Sequence, residues 1–270
     1  PNGANTDELA DMLVENGIIE SKGRFTFLST VLMHNNKYKP GIYSLSPSMN
    51  MNSISNMLIN GITTSDGFII PDGYTVKQTA EALDHVGFAD ADTFKLVASS
   101  GIFTSQFDFL EGSSDLEGYL LPGHYEMSKD ADEAMIIAAM LYQFDEFYTE
   151  EYRIRTSELG LSTRELVILA SIVENESKLD KEMGTIASVL LNRISAGIGI
   201  EGGMPSKPLC SPSREAIEAV LYSEETDYLY YVLAETLDGT HIFTSDYAEY
   251  EAAKLAYEAA LEAKNSVVEK

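Results

Sequence analysis

The chain has 270 residues, 44% of them hydrophobic and 23% charged, which suits one large or two medium globular domains with a substantial core. Lys and Arg number 18 against 43 Asp and Glu, and the resulting net charge of −25 repels nucleic acid and anionic lipid headgroups. The single cysteine, Cys210, rules out an internal disulfide and any multi-cysteine metal site, and reads as a small buried apolar residue.

Residues 1 to 100 contain an internal echo. Thr6, Ala10, Leu13, Gly17, Ile18 and Phe25 are matched, within single-residue shifts, by Thr75, Ala80, Leu83, Gly87, Phe88 and Phe94. Each copy predicts a short helix stopped by glycine. Between the copies, Pro40-Gly41 marks a turn, Ile42 to Leu45 alternates like a strand, and Met51 to Ile59 has helical spacing. The expectation is a small mixed α/β module. Tyr43 and Tyr74 are candidates to stack on a ring-shaped ligand, against the more common role of strand tyrosines in packing.

Gly112 to Ser114 breaks the chain before LEGYLLPGHYEM, where Glu117, Tyr119, His124 and Tyr125 cluster. Ala131 to Tyr152 predicts one amphipathic helix carrying Ile136, Met140, Phe144 and Phe147 on its apolar face. The next helix has the clearest start in the chain: Ser162 is a good N-cap, Glu165 closes a capping box, and Leu161 can staple onto Leu166. From Leu166 to Val173 the run LVILASIV is apolar on nearly every side, which predicts a helix buried all round. Glu174 follows directly. At about 100° per residue, Glu176 points roughly 200° away from Glu174, so the two acids cannot serve one bond together. Loss of solvation at the end of such a helix would raise the pKa of Glu174 toward the range useful to a general acid. Periodicity alone equally allows both acids to be the polar end of a buried helix.

A second helix, IASVLLNRI, ends on Asn192 and Arg193, which are candidates to contact polar groups of a ligand or to be a solvated helix end. After a glycine-rich stretch, Ser213 caps a helix REAIEAVLY, Asp227 to Leu233 alternates around tyrosines like a strand, and Asp238-Gly239 turns the chain back into His241-Ile242-Phe243. His241 is a candidate to face a cleft, or a structural histidine at a strand start. Ala248 to Lys264 predicts an exposed, charge-rich closing helix. No apolar run is long enough to cross a bilayer, and the chain starts at Pro1 without a charged and apolar leader.

SIVENES followed by IASVLLNRI resembles the core motif of MltG-type (YceG-like) endolytic murein transglycosylases, membrane-anchored enzymes that cut peptidoglycan glycan strands. KPGIYSLSPSMNMNSISNMLINGI, FIIPDGYTVKQTAEAL, LEGYLLPGHYEM and DYLYYVLAETLDGTHIFTSDYAEY match further family segments in order, across almost the whole chain. The resemblance implies an α+β protein: a small LysM-like glycan-binding module over 1–66, a second α/β unit over 67–112, and a mixed α/β catalytic domain with a buried central helix over 113–270. It implies Glu174 as the catalytic acid and base, with Glu117, Asn192, Arg193, His241, Tyr43 and Tyr74 as weaker substrate contacts, and no cofactor or metal. The implied reaction forms 1,6-anhydro ends: one carboxyl group protonates the glycosidic oxygen, then assists attack by the muramyl 6-hydroxyl. The implied partners are peptidoglycan strands, with cell-wall synthases or division proteins. The chain would be the extracytoplasmic part of a protein with its N-terminal anchor removed.

Three departures from the pattern stand out. Gly123 and His124 replace the family's usual Asp and Thr, Tyr250 stands where histidine is frequent, and SAGIGIEGGMPSKPLCSPSREAIEA replaces a much longer segment after Arg193. In the final loop of that stretch, Lys207 and Ser213 replace two glycines of the family pattern. Either substrate is handled differently, or activity is impaired and the chain is a glycan-binding scaffold, or a segment is missing from the sequence. A hydrolase would need a second acid such as Glu117 or Glu176 to position water. An aminodeoxychorismate lyase, a label sometimes given to relatives, would need a phosphate cradle and a lysine in an apolar setting, and neither pattern is present.

Overall fold

The computed structural model describes residues 5–19, 21–32, 34–35, 37–38, 45, 51–60, 67–110, 113, 115–200 and 203–268. Tyr43, the Pro40-Gly41 turn, the strand predicted from Ile42 apart from Leu45, and the break residues Gly112 and Ser114 lie outside that set. The protein is α+β and forms two compact units, Pro1–Phe68 with His124–Ala131, and Ile69–Gly123 with Asp132–Lys270.

In the first unit, α1 (Thr6–Glu15) starts from a capping box between Asn5 and Glu8 and gives way at Gly17, whose φ of +69° suits a residue without a Cβ. Ser21 caps α2 (Lys22–Val31), and α3 is Met51–Asn60. Ala10, Leu13, Ile19, Phe25, Ile54 and Leu58 form the core of this unit. A two-stranded sheet joins β1 (Gly67–Ile70) to β2 (Gly123–Glu126), and the rings of Phe68 and Tyr125 stack at 5.2 Å.

The second unit begins with the other half of the sequence echo. Thr75 and Gln78 box the start of α4 (Val76–His85), which gives way at Gly87 (φ +74°), and Asp90 caps α5 (Ala91–Ala98). Each copy is therefore a helical hairpin, α1 on α2 and α4 on α5, with Ala10, Leu13 and Phe25 answered by buried Ala80, Leu83 and Phe94. The single helix predicted over Ala131 to Tyr152 is two: α6 (Glu133–Phe147) and α7 (Glu150–Glu158). Thr149 breaks it, because its extended backbone lets the hydroxyl accept from Tyr152 N–H and cap a new helix.

Next come α8 (Thr163–Glu176), α9 (Met183–Ser195) and α10 (Arg214–Leu221), the hairpin of β3 (Tyr230–Leu233) and β4 (His241–Thr244), and α11 (Tyr247–Val268). Ser162 and Glu165 make the capping box of α8, and those bonds hold the Glu165 carboxyl below the usual range. Every residue from Leu166 to Val173 is buried. At about 1.5–3 kcal/mol for each large apolar side chain removed from water, this helix is a principal source of stability. It packs on both α9 and α10. Among the described residues, no helix is long and apolar enough to cross a membrane.

Candidate active site

The last turn of α8 carries two carboxylates that meet different surroundings. Glu174 is half-buried, and its Oε2 accepts from the backbone N–H of Ser213 at 3.0 Å and from Ser213 Oγ at 2.6 Å. Ser213 is the N-cap of α10 and its Oγ also accepts from Ala216 N–H at 3.1 Å, so the carboxylate sits at the positive end of that helix. On its other side lies the turn at Gly73 (φ +72°), where an added Cβ would lie 3.6 Å from Glu174 Cγ. Two backbone bonds stitch this turn to the loop before α10: Gly73 N–H to Ser211 O at 3.0 Å, and Ser211 N–H to Tyr74 O at 2.8 Å. Asp72, in the same turn, has its carboxyl pushed above the ordinary 3.8 by partial burial, then by the charges of Glu174 and Glu215.

The packing beside Glu174 is tight. Gly118 has φ +89°, and a Cβ there would fall 2.5 Å from Pro208 Cβ and 2.7 Å from Val167 Cγ1, so only glycine lets LEGY and KPLCSP close on α8. Cys210 is buried with its Sγ 3.8 Å from Ser171 O, and burial together with the negative charges of Glu174 and Glu117 pushes its thiol to about 12. Glu117 accepts from Val76 N–H at 3.0 Å and so caps α4. Burial raises its carboxyl, with the Val76 bond opposing.

Glu176 projects from the opposite side of α8 into a cavity of about 450 Å³. Ile172, one turn earlier, shares that face. Arg193 of α9, Tyr230 and Tyr231 of β3, His241 of β4, and Tyr250 and Tyr257 of α11 line the same space. Asn192 Nδ2 donates to Thr226 O at 2.8 Å and to Tyr228 O at 3.0 Å, tying the approach to β3 onto α9. Arg193 donates to Gly199 O at 2.8 Å and Leu229 O at 3.1 Å while lying over the Tyr230 ring. The register pairs Tyr231 with Phe243 and Leu233 with His241. The hairpin loop is pinned by Asp238, which accepts from Thr236 Oγ1 and from the amide and hydroxyl of Thr240; those bonds bring its carboxyl to about 2. His241 is buried, and Glu182 accepts from its Nδ1 at 2.8 Å and from its backbone N–H at 3.2 Å.

Of the residues singled out in the sequence, the cavity therefore gathers Arg193 and His241. Glu174, Glu117, Asn192 and Tyr74 are not among its lining residues; the first three are hydrogen-bonded elsewhere in this unit, and Tyr74 takes part in the stitched turn. Glu176 had a place only in the two-acid alternative, Tyr250 only as a departure from the family pattern, and Glu182 and Tyr257 had none. The i, i+4 relation of Ile172 and Glu176 was the available signal. Among the described residues, no cluster of three His, Cys, Asp or Glu side chains could hold a metal ion.

The model of the YceG-like family matches residues 1–202 and 200–256. An endolytic murein transglycosylase of Bacillus subtilis is 24% identical over 309 aligned positions, covering 95% of this chain and 83% of the relative. One from Streptococcus pneumoniae is 23% identical over 312 positions, covering 93% of this chain and 56% of the relative, so the chain spans little more than half of that protein. Both alignments exceed the 270 residues of the chain, so each relative carries residues that this chain lacks. The family match falls in two stretches that meet and overlap at 200–202, and Ile200 and Gly203 line the cavity. A crystal structure of a YceG-like protein from Listeria monocytogenes superposes with a TM-score of 0.59 at 24% identity, covering 93% of this chain and 96% of the other, which shows a shared fold.

Proposed function

The chain belongs to the YceG-like family, and from that premise we propose that it is a lytic transglycosylase of peptidoglycan whose cleft is the cavity beside Glu176. The observation that carries this reading is that Glu176 is the one carboxylate among the described residues lining that cavity, where tyrosine rings offer apolar faces for sugar stacking and Arg193 offers a positive charge. Glu176 is taken as the acid in place of Glu174, a choice supported by the two donors from Ser213 at the start of α10 that already hold Glu174.

In this reading Glu176 protonates the oxygen between MurNAc and GlcNAc, the C1–O bond breaks, and the muramyl 6-hydroxyl closes on C1 to leave a 1,6-anhydro end. A hydrolase of the usual type sets a second carboxylate across the bond to position water, and the described residues of the cavity lining supply none. As part of the same proposal, the first unit is a LysM-like glycan-binding module. The chain works on the extracytoplasmic side of the cell membrane, alongside cell-wall synthases or division proteins.

Mass spectrometry of uncrosslinked glycan strands incubated with the protein tests the reaction. Anhydro-ended fragments that vanish with Glu176→Gln are expected. Reducing-ended fragments would replace the reading with hydrolysis, and bound but uncut strands would replace it with a scaffold.

A further inference from the structure

His241 opens the HIF stretch of β4, which resembles an HxFS-like element of the family, and its side chain is held firmly in the cavity wall. Its side chain is 1% exposed, and Glu182, which precedes α9 as its N-cap, takes both the ring Nδ1 and the backbone N–H. The carboxylate is an acceptor, so Nδ1 carries the proton and Nε2 holds the lone pair. Tyr231 meets the ring edge-on at 5.6 Å and Phe243 packs at 5.9 Å, which fixes the plane of the imidazole. Among the described residues Nε2 has no hydrogen-bond partner, and His241 lines the cavity with Glu176 and Arg193. A histidine kept by a buried carboxylate in one tautomer, in the wall of a cavity and with its other nitrogen unpartnered among the described residues, is arranged to accept a proton.

Resting on the assignment of Glu176 as the acid of this cleft, we propose that His241 is the base of the second half of the reaction. Glu176 gives its proton to the glycosidic oxygen as the C1–O bond breaks, and that oxygen leaves as a hydroxyl. The attacking hydroxyl oxygen bonds to C1 and its proton passes to His241 Nε2. The imidazolium then returns a proton to the Glu176 carboxylate, so the cycle closes with no net gain or loss. Glu182 is the positioning residue: its charge stabilises the imidazolium and its two contacts hold the ring. The work of acid and base is thereby divided between two side chains instead of resting on one glutamate.

The test measures kcat and KM for fragment release from glycan strands by the full chain and by His241→Ala, Glu182→Gln and Glu176→Gln, with and without added imidazole. A base contributes about 10²–10⁴-fold, so His241→Ala should lose that much kcat with KM little changed, and imidazole should restore part of it. Glu182→Gln keeps an acceptor oxygen for Nδ1 but not the charge, and should lose about tenfold in kcat. If His241→Ala melts before the assay temperature, the Glu182→Gln kcat decides. A full kcat in a folded His241→Ala, or in Glu182→Gln, would overturn the role of His241 while Glu176→Gln, if inactive, leaves the acid in place. An active Glu176→Gln, or a wild type that releases nothing, would remove the reading on which the proposal stands.

Discussion

Two carboxylates stand two residues apart on α8 and inhabit opposite kinds of surface. Around the half-buried Glu174 the protein closes in with the cap of α10 and the stitched turn at Gly73, and the Pro208 ring is seated on Gly118 nearby. Around Glu176 the wall is aromatic and stands back, leaving about 450 Å³. In the proposed reading, one helix turn divides fold from chemistry. The proposal assigns the acid that already has its donors to the fold, and the acid facing space with a cation and rings around it to the substrate.

The sharpest way to probe the closed side is Gly118→Ala. Positive φ and three contacts under 3.0 Å leave a methyl group no room, and about 3 kcal/mol of stability should be lost in urea unfolding. Gly203, on the cavity side with φ +86° and nothing within 4 Å, should lose only about 1 kcal/mol as alanine, for its backbone alone. Equal losses would erase the contrast. Smaller is Ser213→Ala, which removes the α10 cap and one donor to Glu174. It should cost about 1–2 kcal/mol, seen as a lower melting temperature, while the rate of fragment release stays the same.

The smallest effect concerns Asp72. Its carboxyl is raised in the folded protein, so its contribution is fully present below the unfolded value near 3.8 and is lost as pH rises through the higher folded value. Asp72→Asn should therefore raise the melting temperature slightly at pH 7 and leave it unchanged near pH 3. A loss of stability at pH 7 would mean that the charge beside Glu174 is favourable after all.

Much of this was legible from local chemistry. Ser162 with Glu165, Thr75 with Gln78, and Ser213 before Arg214 are caps whose side chains bond as their spacing implies. The two helical hairpins are visible in the alanine, leucine and phenylalanine echo because the same buried positions recur. Thr149 was overlooked because the aromatic stripe continues through it, and a cap inside a periodic run looks like one more polar residue. Which end-of-helix acid faces the cavity was not legible. Periodicity placed Glu174 and Glu176 on different sides, but it carries no information about which side another segment covers. That depended on Ser213, 39 residues later, and on tyrosines from β3 and α11, which reach the cavity only through the tertiary fold.

The central claim is the division of roles along one turn of α8, and paired turnover measurements of Glu176→Gln and Glu174→Gln on the same glycan strands test it most directly. Glu176→Gln should fold as the wild type does and lose about 10²–10⁴-fold in kcat. Glu174→Gln, losing a charge at a helix N-terminus, should melt about 2 °C lower and keep its kcat within about threefold. An inactive Glu174→Gln of undiminished stability, beside an active Glu176→Gln, would contradict the account and return the chemistry to the closed side of the helix.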